Sequence, residues 1–415
     1  MRQAAKGKAD DVRMRGFARR HTVDAALAWL DAQVAPLEAE DVRLGSAYGR
    51  ILAESIVSAV DVPAFDRSAM DGYAVAGHDT DGATAYNPIS FRVVGDSMPG
   101  TPYSAKVGSG QAVRVMTGAP MPAGCDAVVP AEWIEVESDG RVAAQAAVSP
   151  GKNVGKRAED VARGTELFGR GRMLRPQDLG VLSSIGQGNV RVVRRPRVRL
   201  AITGNELLPS GSLAREFHIA DANGPMLAAL VERDGGVVEF PGIIRDDREA
   251  VLKALKDDAD VVIVTGGSSV GVEDFAPMLV AEHGDLAIHG IAMRPSSPTG
   301  MGSVEGKLVF LLPGNPVSAL CAYDFFAGRA IRAMGGRTTQ WPYIAIRGTL
   351  RRKISSQIGR LDYARVRFVD GEVEPLAIAG ASILTSTTRA DGFVVVGDDS
   401  EGYAAGAEVE VWLYA

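Results

Sequence analysis

Between residues 196 and 340, short apolar runs alternate with stretches of helical spacing. Val198–Thr203, Val237–Ile244, Val261–Thr265 and Leu308–Leu312 have the length and composition of strands. Val261–Thr265 has no polar interruption until its last residue, as expected of a strand covered on both faces. The helical stretches carry their own boundary signals. Asp221-Ala-Asn-Gly-Pro opens one that runs to Arg233 and stops at Gly235, Asp247 caps another over Arg248–Lys256, a third follows Asp274, and a fourth covers Pro316–Ala333. This alternation predicts a three-layer α/β domain, a mostly parallel sheet with helices on both faces.

The flanking segments have other rhythms. Thr22 is placed to cap a helix carrying Val23, Ala26, Leu27, Leu30 and Val34, which Pro36 would end, and a second short helix is expected over Ala47–Leu52. Residues 55–150 read as β-rich: Ile89–Val94, Ala112–Met116 and Ala127–Val129 as strands, and 134–145 as a hairpin turning at Asp139-Gly140. A helix from Pro176 to Gly186 follows, and Pro196 marks a boundary. The last 75 residues alternate again as strands, which predicts a small antiparallel barrel or sandwich.

At 415 residues the chain has room for roughly three domains. Its net charge of −6 speaks against a general nucleic-acid binder. Cys125 and Cys321 lie far apart, and the five histidines show no ligand spacing, so neither a disulfide framework nor a transition-metal site is expected. No apolar run approaches a membrane span. Residues 1–21 are basic, without the apolar core of a secretory signal, and read as a disordered start. A cytoplasmic protein is the simplest expectation.

Ligands of open parallel sheets bind outside the carboxyl ends of the strands. Three such ends carry small residues here: Thr203-Gly204-Asn205-Glu206, Thr265-Gly266-Gly267-Ser268-Ser269, and Pro313-Gly314-Asn315-Pro316 entering a helix. Glycines admit a ligand to the backbone, and a helix N-terminus favours an anion, so the three together predict a cradle for a phosphate-bearing molecule. Glu206, Asp246 or Asp247, and Asp274 lie among these loops, as a hard cation such as Mg2+ beside a phosphate would require. Asp247 reads equally as a helix cap. Arg294, in R294-P-S-S-P, is a candidate oxyanion donor or simple surface decoration.

Longer motifs extend this picture. D61-V-P-A-F-D-R-S-A-M-D-G-Y-A-V, V115-M-T-G-A-P-M-P-A-G-C-D, T265-G-G-S-S-V-G-V-E-D and L312-P-G-N-P-V-S-A resemble the molybdopterin molybdenumtransferase family, which includes the enzyme domain of gephyrin-like proteins. The resemblance runs from Thr22 to the C-terminus. It implies a multidomain α/β plus β protein: an elongated domain made from 22–54 and 151–195, a β-rich domain over 55–150, the α/β domain over 196–340 and a C-terminal β-barrel over 341–415. It implies Mg2+-dependent insertion of molybdate into the dithiolene of adenylated molybdopterin, with release of AMP. It also implies a molybdopterin adenylyltransferase as supplier of substrate, and a homodimer whose sites are completed across the interface.

By position, the resemblance assigns Asp71, Thr117, Asp160, Glu206, Asp246 and Asp274 to the catalytic set, with Glu206 and Asp274 on the metal. Substrate contacts fall to Gly204, Gly266, Gly267, Ser269, Arg294, Ser297, Pro313, Gly314, Asn315, Pro316, Arg365 and Ser382. The chain departs from the family's pattern mainly in its oxyanion half. R294-P-S-S-P stands for K-P-G-K-P, so Arg294 and Ser297 replace lysines and Ser296 a glycine; G380-A-S replaces G-S-G. T203-G-N-E and K156-R-A-E-D stand for T-G-D-E and R-R-G-E-D. Loss of a cation would weaken oxyanion capture by roughly tenfold or more. These departures motivate a second expectation, a divergent paralogue that carries a molybdopterin-type ligand without inserting metal.

Overall fold

The computed structural model describes residues 20–266, 275–377 and 380–414. The chain divides into two compact units, one of residues 1–40, 49–51 and 192–415, the other of 41–48 and 52–191.

The larger unit holds a seven-stranded sheet. Val237–Glu239, Arg197–Thr203, Val261–Thr265 and Lys307–Leu312 lie side by side and parallel; Gly300–Val304 and Gly284–His289 extend one edge antiparallel. Alternation along the strands divides their side chains between two cores. Leu200, Ile263 and Phe310 face one core, with Leu227 and Val231 of helix Asn223–Arg233 and with residues of the chain after Pro316. Ala201, Val262, Val264, Val309 and Leu311 face the other, with Val251 and Leu255 of Arg248–Lys256 and with Leu279 and Val280 of Phe275–His283. Fully burying each such aliphatic side chain is worth roughly 1.5–3 kcal/mol, so the predicted three layers follow from covering both faces.

Several expectations shift. The strand expected over Val237–Ile244 is two pieces, Val237–Glu239 and Ile243–Ile244, both on Arg197–Thr203. Pro241 brings no N–H to the ladder, and Gly242 turns the chain at φ 105° between them. The expected helix Pro316–Ala333 is present, with a π-turn over Tyr323–Ala327. The two antiparallel edge strands were not expected. No helix forms over Ala47–Leu52; a 3-10 turn at Leu44–Ser46 and a left-handed Gly49 take its place. Thr22 does cap helix Val23–Gln33, its Oγ1 accepting from Ala25 N at 3.1 Å. That helix buries Val23, Ala26 and Leu30 in the α/β core, so it packs with this unit and not with residues 151–191. Residues 1–19 lie outside the described residues.

Beyond residue 340 the chain forms a six-stranded sheet, in the order Met293–Arg294, Leu361–Val369, Gly392–Val396, Glu408–Leu413 and Ile344–Thr349, with Glu372–Ala377 also on Leu361–Val369. The α/β domain thus lends a strand to the C-terminal sheet. Trp341 holds the two regions together by edge contacts with Phe325 (4.9 Å), Trp412 (5.0 Å) and Phe393 (5.3 Å).

The smaller unit is β-rich as expected. Its sheet runs Ala127–Pro130, Gly72–Val75, Gln111–Val115, Ile89–Ser97, Val142–Ala144 and Ile134–Val136, the last two forming the hairpin over Gly140. Helix Pro176–Ser184 ends before Gly186, which takes φ 79°.

Candidate functional site

Parallel register aligns the carboxyl ends of Arg197–Thr203, Val261–Thr265 and Lys307–Leu312, and so gathers the three small-residue loops on one edge. Their packing is tight. Gly266 takes φ 89°, and a Cβ there would lie 2.0 Å from Thr203 O, so only glycine fits. Asn223, buried at the start of its helix, joins the loops: its Nδ2 donates to Thr265 Oγ1 at 3.0 Å and to Gly314 O at 2.8 Å. Thr265 Oγ1 in turn donates to Pro313 O at 3.3 Å.

A pocket of about 450 Å3 opens there, lined by Glu206, Asn223, Gly266, Gly314, Asn315, Pro316 and Ser382 among others. Asn223 Oδ1 and Thr203 Oγ1 are buried without a hydrogen-bond partner among the described residues. With the Glu206 carboxylate they make a set of hard oxygen donors. The helix N-terminus is partly closed, because Val317 N donates to Ala381 O at 3.0 Å. Gly204 lines a neighbouring depression of about 480 Å3 with Asn205 and Arg245. Asp246 follows Ile243–Ile244, is half-buried, interacts with a neighbouring group and lines neither space. Asp247 caps its helix, its Oδ1 accepting from Ala250 N at 2.8 Å. Gly267, Ser269 and Asp274 lie outside the described residues.

A second cleft, about 780 Å3, adjoins the first through Asn315 and the 380–382 loop. Arg294, Ser297, Pro313 and Asn315 line it, together with Arg20 and Arg360. Arg294 does not project alone. Strand Met293–Arg294 pairs with Leu361–Val369 so that Arg294 stands opposite Asp362. Its guanidinium forks onto that carboxylate, Nε donating to Oδ1 at 3.1 Å and Nη2 donating to Oδ2. Asp362 is fully buried, and it also accepts from Arg360 Nε at 3.2 Å and Ser356 Oγ at 2.8 Å. Ser296 keeps a glycine-like backbone at φ 91°, and its hydroxyl donates to Ser318 O at 2.7 Å. Arg365, expected in this cleft, is instead fully buried and not part of its lining; Tyr414, Tyr363 and Cys321 surround it, and desolvation pulls its pKa down. Its strand turns it inward between neighbours that cover both faces. Ser382 lines the first pocket and not this one.

In the smaller unit, three motif loops form one cluster. Asp71 Oδ1 accepts from Thr117 N at 2.7 Å and from Thr117 Oγ1 at 2.8 Å, bonds that hold its carboxyl below the ordinary range although it is exposed. The segment carrying Asp160 is tied to the first loop: Arg157 N and Lys156 Nζ donate to Asp66 at 2.8 and 3.0 Å, and Arg157 Nε to Asp61 at 2.6 Å. Asp160 itself is exposed, its backbone N donating to Val62 O.

In the sequence Asn223 reads only as part of a helix start, and neither Arg360 nor Asp362 stands out. The signal for Asn223 is the D221-A-N-G step at a strand-facing helix end; for the Arg294–Asp362 pair there is none, since its two members lie 68 residues apart.

Residues 21–186 match the model of the MoeA N-terminal region (domain I and II), 200–333 that of a probable molybdopterin binding domain, and 347–414 that of the MoeA C-terminal region (domain IV). A putative molybdopterin biosynthesis protein of Methanocaldococcus jannaschii is 32% identical over 90% of this chain and 92% of its own length. A molybdopterin molybdenumtransferase of Staphylococcus aureus is 31% identical over 94% of this chain and 95% of its own. A crystal structure of the molybdopterin biosynthesis MoeA protein from Pyrococcus horikoshii superimposes with a TM-score of 0.76 at 32% identity, covering 95% of this chain and 100% of that one.

Proposed function

Because the chain belongs to the molybdopterin molybdenumtransferase (MoeA) family, we propose that it inserts molybdate into the dithiolene of adenylated molybdopterin and releases AMP. It is a transferase of molybdenum cofactor biosynthesis. The observation that carries the finer reading is the adjacency of two unlike spaces. One is walled by close-packed loops and oxygen donors, the other by arginines, and Asn315 borders both. A substrate with a phosphoanhydride, reacting beside a small oxyanion, needs that pairing.

The residues at the first pocket suit Mg2+, which prefers oxygen donors: the Glu206 carboxylate, with Asn223 Oδ1 and Thr203 Oγ1 lacking other partners. Asp274 belongs to the same reading. When bound, the ion would neutralise the phosphoanhydride and polarise its phosphorus. The protein's own part is to hold the reactants. Gly314, open beside the pocket, would leave room for the phosphate at the backbone, and the bonds of Asn223 to Thr265 and Gly314, with the close packing of Gly266 on Thr203, keep the loops from spreading. Water would attack the phosphorus, and the anhydride P–O bond would break to free AMP. The two dithiolene sulfurs would then bond molybdenum, and one oxo group would leave as water with the two thiol protons. Asp71 and Thr117 would serve the site in a homodimer, and a molybdopterin adenylyltransferase would supply the substrate.

The test is AMP release from adenylated molybdopterin by the purified full chain. Release should require Mg2+, rise with molybdate, and fall about 100-fold in Glu206→Gln, equivalent to a little under 3 kcal/mol of transition-state stabilisation. A wild-type protein that releases no AMP under any of these conditions refutes the reading.

A further inference from the structure

The resemblance puts oxyanion capture on the positions of Arg294 and Ser297, yet Arg294 is already engaged. Its Nε and Nη2 both face the buried Asp362, and a bidentate pair of this kind is among the more strongly held side-chain contacts. Arg360 touches the same carboxylate through Nε alone, which leaves its two terminal nitrogens without a partner among the described residues. Arg20 lines the cleft and makes no hydrogen bond or ion pair with the described residues. Its backbone is nevertheless placed. The chain at His21 pairs in parallel with Ile291, His21 N donating to Gly290 O at 2.9 Å and Ala292 N to His21 O at 2.8 Å. The segment that carries Arg20 is thereby stitched beside the strand that carries Arg294.

Among the described residues, the charged side chains lining the cleft are Arg20, Arg294 and Arg360, and none of its lining residues is a carboxylate. Asp362, buried behind them, cancels one of the three positive charges. Two remain, matching a dianion. Ser297 Oγ, buried and without a hydrogen-bond partner among the described residues, adds a neutral donor at the same wall.

We propose that Arg20 and Arg360, with Ser297, bind the tetrahedral oxyanion dianion, while the Arg294–Asp362 pair is a positioning clamp that holds Arg360 at the cleft. The segment ahead of the first helix thus replaces, with Arg20, the cation that R294-P-S-S-P lacks. This rests on the reading of the cleft as the molybdate side of the site.

Calorimetric titration of the full chain with molybdate, and with sulfate as a second tetrahedral dianion, tests it, with AMP as a probe of the adjoining pocket. Arg20→Ala should weaken both dianions by about tenfold, the worth of one charge-assisted hydrogen bond. Arg20→Lys should recover most of the loss, because a point charge serves a tetrahedral ion. AMP binding should stay within about twofold in both variants, since Arg20 does not line that pocket. Arg20→Ala that binds molybdate as tightly as wild type overturns the inference and leaves the function reading intact. Wild-type protein that binds AMP but neither dianion overturns the reading of the cleft itself.

Discussion

Replacing Asp362 by asparagine removes the one negative charge that two guanidiniums and a hydroxyl share. The carboxylate is fully buried and accepts four bonds, two from Arg294, one from Arg360 and one from Ser356. Asparagine keeps the shape but offers one acceptor oxygen, and its amide N–H groups must face an arginine donor or force Ser356 to turn. Breaking a fully buried ion pair from one side costs about 3–5 kcal/mol. Here the cations are only partly buried, with Arg294 and Arg360 side chains 32% and 30% exposed, so water takes up some of the loss. We expect about 2–4 kcal/mol. With a urea m-value of about 3 kcal/mol per molar, the unfolding midpoint of this unit should fall by roughly 1 M. Intrinsic tryptophan fluorescence should follow that transition, because Trp341 and Trp412 pack within the same unit. A midpoint shift below about 0.2 M would refute the reasoning, since it would mean that the carboxylate is not holding the two arginines.

Two further outcomes are expected. At Ser296, alanine keeps the positive φ and loses the bond to Ser318 O, whereas glycine relieves the backbone; Ser296→Ala should be less stable than Ser296→Gly by about 1–3 kcal/mol in the same urea assay, and equal midpoints would contradict the account. The Asp71 carboxyl is held below its ordinary range first by the Thr117 backbone N–H and then by the Thr117 hydroxyl. A folded pKa depressed in this way adds stability above the unfolded value of 3.8, and that stability is lost as pH falls through the lower folded value. Thr117→Val removes the hydroxyl donor, so the carboxyl resonance of Asp71, followed by NMR, should titrate at higher pH than in wild type.

The elements of the α/β domain were legible because each rests on local chemistry. Asp247 caps its helix, Gly235 stops another, and Val261–Thr265 is covered on both faces as its unbroken apolar run required. The three strand-end loops were legible as a group: a small-residue turn after a buried strand is usually only a turn, but parallel register brings three of them to one edge. Long motifs, read by resemblance, also located Asp71 and Thr117, which do meet in the fold.

What local pattern could not decide is which distant groups share a space. Arg294 looks like a lone cation beside two prolines, and only strand pairing shows Asp362 opposite it. Arg365 looks like a donor to an anion, but its strand turns it inward to full burial. Arg20 sits in a stretch that reads as a disordered basic start, and only the pairing of His21 with Ile291 brings it to the cleft. The sequence by itself determined the layered domain and the small-residue loops at its strand ends, because capping, burial period and turn chemistry act over a few residues. Tertiary structure alone decided which arginines face the cleft and which are consumed by a carboxylate, because that balance of charge depends on register between strands far apart in the chain.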